Sequence, residues 1–189
     1  MSDLIRPTEN GLYCEAGNFY LDPGEAVTNA VISHGHADHG ANQSKHVHCT
    51  PPTKAVLDER YGVESFAHGF NEPFDVNGVR VTLHPAGHVL GSAMIAVEHG
   101  EERWLYTGDF KQGDDPTTES FQPVSCDVLI METTFGLPVY QWRQAEETLN
   151  DTVAWLRGVD EATTCFIFAY SLGKAQRVLK ALHERGVSD

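Results

Sequence analysis

At 189 residues, 41% of them apolar, the chain has room for one sizeable core, or for one domain and the beginning of a second. It contains no run of eighteen or so apolar residues, and Met1-Ser2-Asp3 opens with acid rather than a basic leader, so a soluble, cytoplasmic protein with no membrane partner is expected. A net charge of −14 argues against a surface that grips nucleic acid by bulk electrostatics, although the last twenty residues carry four basic side chains against two acidic ones.

Residues 11–15 and 18–21 read as a hairpin, and Asp22-Pro23-Gly24 as the turn that ends it. Residues 29–33, with Val31 and Ile32, form a buried strand that empties into Ser33-His34-Gly35-His36-Ala37-Asp38-His39. His34 and His36 lie on one side of an extended backbone and converge on one ion. Asp38 and His39 follow a turn eased by Gly35 and Ala37 and aim at a neighbouring position, so one loop can hold two metals. Imidazole nitrogen and carboxylate oxygen suit zinc, with manganese or iron as competitors. A histidine-rich surface turn is the bland alternative, and three imidazoles in six residues after an apolar strand argue against it.

Residues 45–49 are extended again, with His46 and His48 on the solvent face and Val47 and Cys49 inward. The two histidines are read as non-ligands, since no acidic partner lies nearby. Thr50-Pro51-Pro52 starts a helix that stops near Tyr61-Gly62. Gly78 opens a strand in which Val79, Val81 and Leu83 alternate with Arg80 and Thr82, and the chain then reaches Gly87-His88-Val89-Leu90-Gly91. Residues 93–98 and 102–107 form a hairpin turning at His99-Gly100 and ending in Gly108-Asp109-Phe110. His88 and Asp109 thus stand at two further strand ends and become candidate ligands. A carboxylate can bridge two cations where a neutral imidazole cannot, so Asp109 is the candidate bridge.

Residues 114–123 are polar without periodicity, and residues 127–131 form an apolar strand ending in Glu132-Thr133-Thr134-Phe135-Gly136. Beyond Pro138 the pattern becomes helix over 141–157, strand over 164–169 and helix over 171–185. This divides the chain into domains 1–138 and 139–189, of α/β (α+β) class. Ser171, Gly173 and Lys174, at the start of the last helix, offer a phosphate seat or simply an ordinary capped helix. Trp104, Trp142 and Trp155 are read as packing residues in preference to base-stacking ones. Cys14, Cys49, Cys126 and Cys165 form no C-x-x-C pair and are expected as free thiols.

The order His34-x-His36-x-Asp38-His39, Gly87-His88, Thr107-Gly108-Asp109 resembles the metallo-β-lactamase fold. Glu132-Thr133-Thr134-Phe135-Gly136 and Phe168-Ala169-Tyr170-Ser171-Leu172-Gly173-Lys174-Ala175-Gln176 resemble motifs of the β-CASP nucleases, and the whole chain is similar to the bacterial ligase-associated DNA exonucleases. The resemblance implies an αββα sandwich, incomplete here, followed by the start of a β-CASP cap. It implies that His34, His36, His88 and Asp109 hold one zinc, and Asp38, His39 and Asp109 a second, with manganese as a substitute. Asp38, Asp109 and Glu132 become the catalytic candidates, Glu132 by orienting a later histidine that acts as general acid. That histidine and another ligand to the second zinc are expected beyond residue 189, which leaves the second site incomplete and turnover low. The implied function is zinc-dependent hydrolysis of phosphodiesters, as a DNA exonuclease of ligation and repair. Single-stranded DNA is favoured over RNA as substrate, and a DNA ligase or helicase is the implied partner. Three alternatives stand beside it: a β-CASP ribonuclease of RNA 3′-end processing, a thioester or lactone hydrolase, and a non-catalytic binding subunit that keeps the fold.

Overall fold

Short apolar runs and, in places, alternation of apolar and polar side chains write the strands, and the computed structural model, which describes residues 3–187, arranges them in two sheets. Met1, Ser2, Ser188 and Asp189, at the outer ends of the two expected domains, lie outside the described residues. The first sheet runs in chain order through β1 (Ile5–Thr8), β2 (Gly11–Cys14), β3 (Phe19–Leu21), β4 (Asn29–Val31), β5 (His46–Cys49) and β6 (Ser65–Ala67). Its first three strands pair antiparallel, and β3 to β6 are parallel. The second sheet contains β7 (Phe74–Val76), β8 (Val79–Pro85), β9 (Ala93–His99) and β10 (Glu102–Tyr106) as an antiparallel meander, and β11 (Val128–Ile130) joins β10 in parallel.

Register decides which residues meet between the sheets. Ile5, Cys14, Phe19, Leu21 and Val31 of the first sheet pack on Val79, Val81, Leu83, Ile95 and Val97 of the second in one continuous core. The outer face of the first sheet, with Ala30, Ile32, Val47 and Cys49, is covered through Leu57 of helix α2 (Pro51–Tyr61). The Thr50 hydroxyl caps that helix by accepting from the Thr53 N–H at 3.3 Å, and Gly62 ends it in the left-handed region. On the outer face of the second sheet, Met94, Ala96 and Leu105 are covered by Phe110, Phe121, Val124 and Cys126. The polar connection after Asp109 is therefore a packed layer, held by apolar residues at its two ends. The result is a mixed α/β sandwich of two sheets, as the sequence leads one to expect.

The chain divides into two compact units, Met1–Glu132 and Thr133–Asp189. In the second, α3 (Ala145–Gly158) and α4 (Lys174–Glu184) bury Val153 and Ala181. They are tied by Arg185, which donates to Glu146 at 2.6 Å and accepts from Arg157 at 2.8 Å. The strand expected over 164–169 is not formed. Phe166 and Phe168 are 72% and 93% exposed, and no described strand pairs with the segment. Apolar β-formers become a strand only where a neighbour supplies N–H and C=O partners. The packing reading of the tryptophans holds for Trp104, which is 9% exposed, and fails for Trp142 and Trp155, which are 71% and 49% exposed. Among the described residues no helix is long and apolar enough to cross a membrane, and all four cysteines are free.

His46 is exposed as expected, but His48 is half-buried because it shares a face with its register partner Val31. Its Nδ1 lies 2.9 Å from His68 Nε2, and Phe74 stacks on His68 with ring centroids 3.6 Å apart. Burial, with His68 and His46 adding to it, lowers the His48 pKa to about 4, and burial also lowers that of His68. The unfolded chain takes up protons on these rings near pH 6.5 while the folded chain does not. The contribution of these two rings to stability is therefore full above about pH 6.5, falls as pH drops toward about 4, and levels off below. In thermal melts across that window, His48→Gln flattens the slope of Tm against pH; an unchanged slope would remove His48 as its origin.

Candidate metal centre

The metal loop leaves β4 at a place the fold holds from several sides. The Ser33 carbonyl accepts from the Ala93 N–H at 2.8 Å, which ties the loop to the start of β9. His36 precedes α1 (Ala37–Gly40), a single helical turn that carries Asp38 and His39 back toward the strand end. His88 sits in a tight loop whose backbone N–H groups at 88 and 89 both donate to the Ser92 hydroxyl, at 3.0 and 3.1 Å. The Thr50 hydroxyl at the start of α2 donates to the Gly91 carbonyl at 2.6 Å and fixes the far side of that loop. Asp109 follows β10, whose continuation is pinned by Thr107 N–H donating to the Ile130 carbonyl at 3.0 Å.

These elements bring four donor atoms together. His34 Nε2 and His36 Nδ1 are 3.0 Å apart, and His88 Nε2 is 3.3 Å from His36 Nδ1. Asp109 Oδ2 stands 3.5 Å from His88 Nε2 and 3.9 Å from His34 Nε2. A tetrahedral ion with ~2.0–2.1 Å bonds spaces its ligand atoms by roughly 3.3 Å, so this set fits one cation without rearrangement. His34 is fully buried. Burial, reinforced by His39, His88 and His36, holds its pKa far below the ordinary imidazole range, which keeps the ring neutral as a metal ligand requires. Burial also lowers the His88 pKa, with Asp109 and Glu132 pulling against it, and this places Glu132 within electrostatic reach of the cluster.

A second position lies beside the first. His39 Nε2 is 3.6 Å from Asp109 Oδ1 and 3.7 Å from Asp38 Oδ2, so the two oxygens of Asp109 face different histidines. Asp38 is open to solvent at 80% side-chain exposure. Ser171, Gly173 and Lys174 belong to the second compact unit. There Gly173 donates its N–H to Gln176 Oε1 at 2.9 Å and Lys174 Nζ lies 5.4 Å from the Tyr170 ring centroid, a self-contained cap at the start of α4.

Two residues that sequence reasoning missed orient the site. Asp22, read only as a turn former, is 3% exposed at its side chain and accepts from His39 Nδ1 at 2.8 Å. It also accepts from Ser33 N–H at 2.7 Å, from the Ser33 hydroxyl, and from the Tyr106 hydroxyl at 3.1 Å. Occupying Nδ1 in this way turns His39 Nε2 toward Asp109, the carboxylate–histidine arrangement typical of metal ligands. Burial pulls the His39 pKa down, but the hydrogen bond and charge of Asp22, with Asp109 and Asp38, outweigh it and raise it to about 9. Burial and the Asp22 charge push the Tyr106 phenol well above its ordinary range, so it remains a donor. Asp22, His34 and His39 also have ligand atoms close enough to share a cation. The four donors already on Asp22 make it a support for that cluster instead.

Gly108 shows how tightly the site is built. Its φ is +52°, and a Cβ there would stand 2.6 Å from both side-chain atoms of Ser33. Ser33 cannot yield, since its hydroxyl is engaged by Asp22 and lies 2.9 Å from His34 Nδ1. Gly108→Ala is expected to cost about 2–4 kcal/mol and displace Asp109, read as a drop in Tm together with weakened metal binding. A variant with unchanged Tm would refute the close approach.

A histidine–carboxylate cluster at one end of a two-sheet sandwich is a donor set that could hold a metal ion. The chain belongs to the metallo-β-lactamase superfamily, for the family model of the beta-lactamase superfamily domain matches residues 16–167. It is 35% identical over 181 residues to a probable DNA ligase of Opitutus terrae, a match covering 93% of this chain and 18% of that protein. It is 31% identical to cleavage and polyadenylation specificity factor subunit 3 of Dictyostelium discoideum, covering 84% of this chain and 25% of that one. Endoribonuclease YSH1 of Kluyveromyces lactis is 30% identical, with 82% and 26% covered. The chain therefore spans between 18% and 26% of the length of these curated relatives.

Proposed function

We propose that the chain is a zinc-dependent nuclease that hydrolyses phosphodiesters of single-stranded nucleic acid, DNA in preference to RNA, as part of ligation and repair. The carrying observation is the convergence of three imidazoles and a two-faced carboxylate within 3.9 Å contacts, in a chain whose relatives bear DNA-ligase and endoribonuclease names. The preference for DNA, and a DNA ligase as partner, rest on the Opitutus terrae relative, whose match covers 93% of this chain. Free cysteines suit a reducing compartment, in keeping with action in the cytoplasm. In this reading residues 1–138 are the metallo-β-lactamase-like domain, and residues 139–189 begin a β-CASP-like cap.

His34, His36, His88 and Asp109 Oδ2 would hold one zinc, and Asp38, His39 and Asp109 Oδ1 the other. Two such ions, when bound, supply Lewis acidity toward a phosphoryl oxygen and a nucleophile active near neutral pH. The chain's own residues fix the geometry. Asp22 holds His39 by its Nδ1, Tyr106 and Ser33 hold Asp22, and burial keeps His34 deprotonated. Asp109, at 36% side-chain exposure, marks the side from which a substrate phosphate reaches the cluster. Glu132, whose charge is felt at His88, suits a role in holding a proton donor for the leaving oxygen.

The test is release of nucleotides from end-labelled single-stranded DNA and RNA of one sequence, with zinc or manganese added back to chelated protein. Metal-dependent release with DNA cleaved faster supports the reading. Faster cleavage of RNA would favour the ribonuclease suggested by the two RNA-processing relatives, and hydrolysis of a thioester in place of either strand would overturn it.

A further inference from the structure

Ser33 is the last residue before the histidines, and the contacts of its hydroxyl decide where protons lie around them. It is fully buried, and the chain bends there as it leaves β4. Its backbone is held on both sides, since its N–H donates to Asp22 at 2.7 Å and its carbonyl accepts from Ala93 N–H at 2.8 Å. Gly108 closes over the side chain, where a Cβ would stand 2.6 Å from the hydroxyl oxygen. That oxygen touches Asp22 Oδ2 and lies 2.9 Å from His34 Nδ1. A carboxylate has no proton to give, so the Ser33 O–H points at Asp22. The hydroxyl therefore turns a lone pair toward His34, and His34 Nδ1 is the donor of that contact. A neutral imidazole has one N–H and one lone pair. The lone pair is thus left at Nε2, the atom that stands 3.0 Å from His36 Nδ1 and 3.9 Å from Asp109 Oδ2.

We propose that Ser33 is a positioning residue that sets the tautomer of His34, so that Nε2 is ready as a ligand before an ion arrives. The claim rests on the zinc position assigned in the preceding section to His34, His36, His88 and Asp109, and adds to it the residue that prepares that position. Among the described residues, Ser33 Oγ is the one polar partner of His34 Nδ1. His39 is held directly by Asp22 at 2.8 Å, so the two metal positions are prepared by different side chains. Burial makes the hydroxyl decisive. In Ser33→Ala, an N–H at His34 Nδ1 would be enclosed without an acceptor, whereas an N–H at Nε2 can donate to His36 Nδ1, 3.0 Å away. The proton then moves to the nitrogen that zinc requires bare, and binding must first displace it.

The experiment reads the histidine ring nitrogens of the full chain by proton–nitrogen NMR, which tells a protonated nitrogen from a bare one. In the metal-free parent, His34 carries its proton on Nδ1; in Ser33→Ala it carries it on Nε2. Zinc is then titrated into chelated protein and followed at the ring signals of His34 and His39, which report the two positions separately. Ser33→Ala binds zinc at His34 about 10–100-fold more weakly than the parent and keeps the parent's affinity at His39. A proton on His34 Nε2 in the metal-free parent overturns the proposal, as does a parent that binds no zinc at His34. So does a variant that binds there as tightly as the parent, or one that loses both positions equally, as a merely structural role would have it. Should Ser33→Ala not fold, the parent spectrum decides alone. Cleavage of single-stranded DNA by the parent is assayed beside it. Zinc bound at a His34 protonated on Nδ1, with cleavage absent, would retain the role of Ser33 and defeat the nuclease reading, and cleavage with the proton on Nε2 would do the reverse.

Discussion

Asp109→Ala is expected to reduce metal-dependent phosphodiester hydrolysis by on the order of 10³-fold or more, and to lower occupancy at both metal positions together. The reason is the two-faced carboxylate. Oδ2 lies 3.5 Å from His88 Nε2 while Oδ1 lies 3.6 Å from His39 Nε2, so a single side chain serves both histidine sets. Its removal leaves His34, His36 and His88 without their carboxylate partner, and leaves His39 Nε2 facing only the solvent-exposed Asp38. Losing Lewis acidity worth several kcal/mol accounts for a factor of this size. The fold should hardly notice, because the side chain is 36% exposed and substitutions at such positions change stability by little. Metal content of the purified variant, measured beside its rate and Tm, checks the argument. One ion retained at full affinity would show that Asp109 serves one position and does not bridge.

The candidate site was legible where chemistry is contiguous in the chain. His34, His36, Asp38 and His39 fall within six residues, and no packing demand explains three imidazoles there. His88 and Asp109 were legible for a different reason, since each follows a glycine at the end of an alternating strand. Asp22 was invisible to that reasoning. Its turn sequence is ordinary, and its function arises only because β3 pairs in parallel with β4, with Leu21 opposite Val31, which sets the next residues side by side. Fold elements divide along the same line. The long alternating strand β8 and the continuous apolar run of β9 announce themselves, whereas β1, β6 and β7 are three or four residues long and exist by pairing with neighbours. The converse error at 164–169 has the same origin, an apolar run for which the described residues supply no partner.

Asp22 accordingly gives the sharpest test of how the second position is made. Asp22→Asn keeps the shape and an acceptor oxygen for the Ser33 N–H, but it removes the charge that holds His39 and places an N–H₂ among donors. The expected result is a lower Tm, since that N–H₂ meets the donors of Ser33, His39 and Tyr106, together with about 10–100-fold weaker metal binding at the His39 position, the usual effect of losing a carboxylate behind a metal-bound histidine. Asp22→Ala goes further, because it strands the buried Ser33 N–H and the Tyr106 hydroxyl as well. Each orphaned donor costs about 1–3 kcal/mol, so Tm falls further in this variant than in the first. The His34, His36 and His88 cluster keeps its own donors in both. Titration of chelated protein with zinc therefore separates the effects: Asp22→Asn should retain a tight first ion and lose the second, and a variant that binds both as the parent does would show that His39 is held by its backbone alone.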